Sequence, residues 1–198
     1  MKLMLTGPNK ELDMKAYQET IQFDMYGSKN CISEFYVKDN MYSLIMVKSG
    51  ILKMNNCILS LDGLTRETHR KVPCIVSMPN SSIEVFYCNF KGDTLNDAYT
   101  AGILSLKSDI TVHECSFAHF LSGAIMIDMK PENNVVISEN IIMSCMTAGI
   151  FIQGVASLPQ IQGNKIRFCR CSAIITALDV DAYIVQNEIQ ICGVGIEI

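Results

Sequence analysis

The run Gly149 to Ile166, GIFIQGVASLPQIQGNKI, contains the two short patterns that decide the fold of this 198-residue chain. Its first part, Gly149 to Ile152, is a small residue followed by alternating apolar positions. Its second part, Ile161 to Ile166, has the form apolar-x-x-Asn-x-apolar, with Asn164 at its polar centre. Both parts are short, β-branched and alternating, which is typical of β-strands. The run therefore predicts two or three short strands within about two dozen residues.

Both patterns recur along the chain. The second pattern occurs six times, at successive separations of 31, 27, 25, 24 and 23 residues. Its polar centres are Cys57, Cys88, Cys115, Asn140, Asn164 and Asn187. The first pattern keeps step with it, and its copies begin at Ser43, Cys74, Gly102, Ala124, Gly149, Ala173 and Gly195. Self-similarity at such a period is the signature of a repeat architecture.

A repeat unit this short cannot bury its own apolar face, so the copies must stack on one another. We predict an all-β fold, a right-handed single-stranded parallel β-helix of about eight rungs. The Asn and Cys centres form a ladder in one turn, because Asn tolerates left-handed dihedral angles and can bond to its stacked neighbours. A leucine-rich repeat would need a helix in each unit, and a propeller would need a longer period, so the β-helix is favoured over both. We expect one domain over 1–198, with opening rungs or a cap at 1–42 and regular rungs at 43–198.

These motifs resemble the parallel β-helix repeat of pectin-lyase-like proteins over residues 43–198. Upstream, Tyr17 to Phe23 (YQETIQF) resembles the strand that opens many such domains. Among eukaryotic members, the chain is similar to the β-helix domains of Shc-SH2-binding proteins and of F-box proteins with this domain. The resemblance implies the fold strongly and the function weakly, because this fold hosts lyases, hydrolases, adhesins and scaffolds.

Composition excludes several classes of protein. The chain is 49% apolar and 18% charged, which excludes disorder. Its net charge of −4 and the lack of a basic stripe argue against a nucleic-acid partner. No apolar run reaches the roughly 18 residues of a membrane span, and no secretion signal is visible. Nine cysteines without disulfide-type spacing favour reduced, buried thiols and a cytoplasmic protein, with a cytoskeletal or ciliary setting suggested by the resemblance.

Histidine and cysteine clusters raise the possibility of a metal. His113, Cys115 and His119 have a spacing that zinc sites use, but a fourth ligand would have to come from a neighbouring rung. Alignment of the repeats points His113 outward and leaves Cys115 in the ladder, so we predict no metal and no cofactor. A second column, Cys145, Cys169 and Cys192 with Phe120 before it, is interpreted as inert packing.

The outward face of the first predicted strand decides the question of catalysis. Polysaccharide-cleaving β-helices, which the repeat resembles, place clustered Asp with Arg, Lys or His on this face. Here the predicted outward column is apolar until Glu197, and comprises Ile45, Val76, Leu104, Met126, Phe151 and Ile175. Asp128 is followed in its column by Gln153 and Ala177, whereas Lys130, Glu132, Asp179 and Asp181 are expected in loops. Without paired catalytic carboxylates, we predict that the chain is not an enzyme and has no small-molecule substrate.

Two functions remain open. The first is a non-catalytic scaffold whose apolar column binds other proteins of a larger assembly, because such a strip normally marks a covered surface. The column could equally be covered by the protein itself. The second is a carbohydrate-binding or polysaccharide-cleaving module. Because the sequence stops in mid-rung at Ile198, we also expect it to be part of a longer chain or assembly.

Overall fold

The computed structural model describes residues 20–24, 34–36, 43, 45–61, 72–92 and 100–198. These residues form three parallel sheets of seven strands each. The first sheet contains β3 (Ile45–Val47), β6 (Val72–Ser77), β9 (Thr100–Leu106), β12 (Gly123–Met129), β15 (Ala148–Ser157), β18 (Ser172–Val180) and β21 (Val194–Glu197). The second contains β1 (Thr20–Asp24), β4 (Gly50–Asn55), β7 (Ser81–Phe86), β10 (Asp109–His113), β13 (Val135–Ser138), β16 (Gln160–Gln162) and β19 (Tyr183–Val185). The third contains β2 (Glu34–Tyr36), β5 (Ile58–Ser60), β8 (Asn89–Lys91), β11 (Ser116–Ala118), β14 (Ile141–Met143), β17 (Lys165–Arg167) and β20 (Glu188–Gln190).

The chain visits the three sheets in rotation, so each rung of the coil supplies one strand to each sheet. Six rungs are complete from β3 to β20, with β1 and β2 before them and β21 after them. The parallel β-solenoid predicted from the repeats is therefore confirmed. The described residues give each sheet seven strands, slightly fewer than the expected number of about eight rungs. Of the region 1–42 only β1 and β2 are described, and Tyr17 to Glu19 of the expected opening strand lie outside the described residues.

The core is a set of inward columns, one residue per rung. In the first sheet the predicted isoleucine column is confirmed, since Ile103 pairs with Ile125, Ile125 with Ile150, and Ile150 with Ile174. In the third sheet, Phe90 and Phe117 stack with their ring centroids 4.5 Å apart. These side chains are fully buried. Each rung thus buries its apolar face against the rungs above and below it, which a single repeat could not do alone.

From Cys74 onward, the small residue of each repeat lies at the second or third position of its first-sheet strand. A Cβ added at Gly102 would lie 2.5 Å from the Ala124 carbonyl oxygen and 2.7 Å from the Phe117 ring. A Cβ added at Gly149 would lie 2.7 Å from the Ala173 oxygen and 2.8 Å from the Ile166 side chain. The small residue therefore permits close approach of one rung to the next.

The ladder turn between the second and third sheets has the same backbone in every described rung. The residue with positive φ is the one before the Asn or Cys, for example Glu114 at 50°, Glu139 at 56° and Gly163 at 67°. The expectation that Asn itself adopts the left-handed conformation is therefore wrong. What selects Asn at the ladder position is its side-chain hydrogen bonding.

Candidate docking face and polar ladder

The outer column of the first sheet consists of one outward apolar residue from each of six strands. Strand pairing aligns Met46 with Val76, Val76 with Leu104, Leu104 with Met126, Met126 with Phe151, and Phe151 with Ile175. The next residue in the column is Glu197. We call the six aligned residues the outer apolar column.

One member of the predicted column is wrong. Ile45 pairs with Ile75 in the inward column and is only 1% exposed, and the outward position belongs to Met46. The copy that begins at Ser43 is offset by one residue from the later copies. A shift of one residue in a strand moves a side chain to the opposite face.

The column is half-buried along most of its length, because stacked neighbours cover both sides of each side chain. Met46, Leu104, Met126, Phe151 and Ile175 are of intermediate exposure. Val76 is 6% exposed and thus nearly covered. The column is therefore outward-facing and apolar, and its accessible part runs from Leu104 to Ile175.

Among the described residues, carboxylates are not paired in the Asp128 column, which lies next to the outer apolar column on the same face. Asp128 aligns with Leu106 on one side and Gln153 on the other, so it has no carboxylate beside it in its own column. Lys130 and Glu132 form an ion pair of 2.9 Å in the turn after β12. Asp179, which was expected in a loop, lies within β18. The two-carboxylate arrangement that glycoside hydrolysis requires is not formed in this column.

The ladder residues lie in one column in the turn after the second sheet. Three of them form a chain of amide hydrogen bonds: the Asn140 side-chain amide donates to Asn164 Oδ1 at 2.9 Å, and the Asn164 amide donates to Asn187 Oδ1 at 2.9 Å. The Asn164 amide also donates to the Ile137 carbonyl oxygen at 3.0 Å. Asn140 and Asn164 are fully buried, so these bonds satisfy groups that water cannot reach.

The cysteine part of the ladder uses the same positions with weaker partners. The backbone N–H of Cys57 donates to Cys88 Sγ at 3.4 Å, and that of Cys88 donates to Cys115 Sγ at 3.4 Å. The N–H of Cys115 donates to Asn140 Oδ1 at 2.9 Å, which joins the two parts. A separate side-chain hydrogen bond with Cys115, together with burial, raises the pKa of the Cys88 thiol to about 12. This thiol therefore stays neutral at physiological pH.

A second column of thiols lies in the turn after the third sheet. The N–H of Met146 donates to the Phe120 oxygen, that of Arg170 to the Cys145 oxygen, and that of Gly193 to the Cys169 oxygen, which brings these rungs into register. A hydrogen bond from the Cys145 thiol lowers the pKa of Cys169, and the same contact raises that of Cys145. Cys169 is only 1% exposed, so reagents have little access to it. All eight described cysteines are thiols rather than halves of disulfides.

His113 and Cys115, two of the residues considered as zinc ligands, point in different directions. Cys115 is 2% exposed inside the ladder turn, whereas His113 points outward from the second sheet. His113 Nδ1 lies 2.9 Å from Ser138 Oγ, and His113 Nε2 lies 3.0 Å from Glu114 Oε1. In the part of the chain that the structure describes, no three His, Cys, Asp or Glu side chains are grouped as a metal site would require. Ser138 is 25 residues from His113 in the sequence, and the contact between them was not predicted.

An open groove of about 690 Å³ lies between the first and second sheets, and the repeat pattern gives no signal for it. Ser82, Lys107, Asp109, Lys130 and Asn133 are among the residues that line it. Asp109 accepts hydrogen bonds from Asn133 Nδ2 at 3.4 Å and from the Asn134 N–H at 2.9 Å. The residues that line the groove come from turns of different lengths. The period of the strands therefore does not predict which of these residues are neighbours.

Comparison with known families agrees with this architecture. The family model described as "right handed beta helix region" matches residues 73–198. The chain therefore belongs to the right-handed β-helix family. Neither the comparison with curated proteins nor that with solved structures finds a match. Within the described residues, no helix is long and apolar enough to cross a bilayer.

Proposed function

We propose that this β-helix is a scaffold that docks onto partner proteins of a larger assembly through its outer apolar column. The single observation that carries the proposal is the strand register, which aligns large apolar side chains from Leu104 to Ile175 on four successive rungs. An aligned apolar strip of this kind normally marks a surface that another chain covers. The thiol form of the eight described cysteines supports a cytoplasmic setting, and a cytoskeletal or ciliary assembly is part of the proposal.

The occupant we propose is an amphipathic helix of the partner, lying along the axis of the coil. Neighbouring strands are about 4.8 Å apart, and a helix rises about 5.4 Å per turn. One apolar residue per helical turn can thus lie near each rung over several rungs. Met126 and Phe151 suit such a contact because Met and Phe are enriched at protein interfaces.

Site-specific photo-crosslinking in cells tests this docking. A benzophenone amino acid replaces Phe151, and the matched control carries it at Gln160, an exposed outward position on the second-sheet strand of the same rung. We expect position 151 to crosslink to a helical segment of one other protein, identified by mass spectrometry, and position 160 not to do so. Crosslinks only within this chain would show self-cover, and equal crosslinking from both positions would contradict the proposal.

Charge substitutions provide the complementary loss-of-function test. Met126→Asp with Phe151→Asp should remove the crosslinked partner from co-purification by at least about tenfold, because two buried apolar contacts are lost. Val136→Asp with Gln160→Asp is the control on the same two rungs of the second sheet. Both variants should keep the far-UV circular dichroism of the coil.

The polar groove favours a second candidate function, the binding of a carbohydrate. Its serine, asparagine and lysine groups can donate hydrogen bonds to hydroxyls. None of the described residues that line it is aromatic, so they offer no ring on which a sugar could stack. Glycan-array binding that Lys107→Ala abolishes, and that Met126→Asp leaves intact, would favour this candidate over docking.

A further inference from the structure

The outer face of the second sheet carries a serine, a histidine and a glutamate joined by two hydrogen bonds. Ser138 Oγ lies 2.9 Å from His113 Nδ1, and Glu114 Oε1 lies 3.0 Å from His113 Nε2. The Glu114 carboxylate can only accept, so Nε2 carries the ring proton. Nδ1 of the neutral ring is then the acceptor of the Ser138 hydroxyl proton. These are the nucleophile, base and orienting group of an acyl-transfer site.

The strand register supplies the rest of the site. Ser138 aligns with His113 on one neighbouring rung and with Gln162 on the other, and Phe86 precedes His113 in the same column. Among the described residues, the Gln162 side-chain amide donates one long hydrogen bond, of 3.4 Å to Gln186 Oε1, so it can turn towards a charge that develops beside Ser138. A side-chain amide can serve as an oxyanion donor.

Aromatic rings form one wall beside the histidine. The Phe86 ring lies 6.2 Å and the Tyr87 ring 6.4 Å from the His113 ring, centroid to centroid, both edge-on. Tyr87 is 51% exposed, so its ring offers apolar surface to a ligand. Glu114 in the site and the exposed Glu139, which follows Ser138 in the sequence, add negative charge that disfavours anionic substrates.

We propose that Ser138, His113 and Glu114 form an esterase-type site for small neutral esters with an apolar or aryl group. The Ser138 oxygen attacks the ester carbonyl carbon while its proton moves to His113 Nδ1, and Glu114 stabilises the imidazolium. The ester C–O bond breaks, and the alcohol leaves with the proton from Nδ1, which gives an acyl-serine. Water, deprotonated by His113, then attacks the acyl carbon, and the acid departs as Ser138 recovers its proton.

This proposal is independent of the docking proposal, because it concerns a different sheet. The side chains of His113 and Glu114 are 31% and 47% exposed, so the site does not exclude water and a slow turnover is expected. Ordinary imidazole reactivity would leave an acyl group on histidine, whereas the proposed route leaves it on Ser138.

The test uses p-nitrophenyl acetate and a fluorophosphonate probe on the whole purified chain, with peptide mapping of the adducts. We expect acetyl and phosphonyl groups on Ser138, complete loss of both in Ser138→Ala, and at least about a tenfold slower reaction in His113→Gln. Glu114→Gln should slow it while the adduct remains on Ser138.

Ser116→Ala is the matched control, since this outward serine lies on the third-sheet strand of the same rung as His113. It should leave labelling unchanged, and circular dichroism should be the same for all variants. Adducts on histidine or lysine alone, or hydrolysis that Ser138→Ala does not change, would overturn the proposal. Failure to label any serine with either reagent would also overturn it.

Discussion

The two halves of the ladder share one backbone but differ in chemistry. Cys57, Cys88 and Cys115 occupy the turn in three rungs, and Asn140 and Asn164 with the following Asn187 occupy it in the next three. In the cysteine half, thiol sulfurs accept the turn N–H groups at 3.4 Å. In the asparagine half, amide oxygens accept them at 2.9 to 3.0 Å, and the amide NH₂ groups donate as well.

The difference shows which property of the ladder residue each rung requires. Both halves need an acceptor for the N–H of the preceding rung, and a sulfur meets that need weakly. Asn also adds amide donors that bond carbonyl oxygens such as those of Val112 and Ile137 at 3.0 Å, whereas a thiol donates more weakly, as Cys115 Sγ does to the Val85 oxygen at 3.5 Å. We expect the free energy of unfolding to depend strongly on single side chains in the asparagine half and less strongly on those in the cysteine half. The contribution of the cysteine half should instead fall at alkaline pH.

The largest effect is expected for Asn164→Ala. This change removes the acceptor of the Asn140 backbone and amide groups and the donor to Ile137, all of them buried. Unsatisfied buried groups cost about 1–3 kcal/mol each, so the free energy of unfolding should fall by about 3 kcal/mol. Urea unfolding followed by circular dichroism measures it. Asn89→Ala, at an exposed position of β8, is the control, and a loss below about 0.5 kcal/mol for Asn164→Ala would contradict the ladder account.

The next effect is the pH dependence of the cysteine half. The hydrogen bond with Cys115 raises the pKa of Cys88 from 9.0 to about 12. Since the folded pKa is the higher one, the neutral thiol stabilises the fold fully below pH 9, and this contribution is lost as the pH rises from 9 towards 12. One thiol contributes a slope of at most about 1.4 kcal/mol per pH unit.

The measurement is urea unfolding with reductant at several pH values, for the wild type and for Cys88→Ala. The stability advantage of the wild type over Cys88→Ala should shrink above pH 9. The advantage over Asn164→Ala should stay constant, because an amide does not titrate. Parallel curves for Cys88→Ala and the wild type would show that Cys88 does not cause the alkaline loss.

The smallest effect is expected for Cys115→Asn, which extends the asparagine half by one rung. Cys115 Sγ already lies 3.5 Å from the Val85 oxygen, where the new amide would donate, as Asn140 does to Val112. Added hydrogen bonds should raise the free energy of unfolding by up to about 1 kcal/mol. Cys74→Asn is the control, because this fully buried thiol lies outside the ladder, and it should cost more than about 2 kcal/mol. A comparable loss for Cys115→Asn would mean that the turn cannot hold an amide there.

Much of the fold could be predicted because equivalent residues of the repeats have the same local environment in the coil. The spacing of the Asn and Cys centres gave the period, and alternation gave the inward isoleucine column that contains Ile103 and Ile125. Prediction failed where a repeat was irregular. The separation from Cys57 to Cys88 is the longest of the series. The copy that begins at Ser43 was predicted one residue out of register, so Ile45 was assigned to the outward position that Met46 occupies.

Parts of the candidate sites could not be predicted from the sequence. The contact of His113 with Ser138 depends on which nitrogen faces the next rung, and periodicity carries no such information. The position of the left-handed residue could not be predicted either, because Glu, Gln and Tyr are not typical of that conformation. Here the stacked turns impose it on whichever residue precedes the ladder position.

By itself, the sequence determined that residues about two dozen apart are equivalent, since a short strand unit with one apolar face must stack on its copies. It thereby determined the solenoid, the ladder and the apolar character of the outer column. Only the tertiary structure decided the register of each strand to the single residue, and so which side chains are outward. Only the structure joined Ser138, His113 and Glu114, because hydrogen bonds between rungs depend on side-chain directions that no one-dimensional period contains.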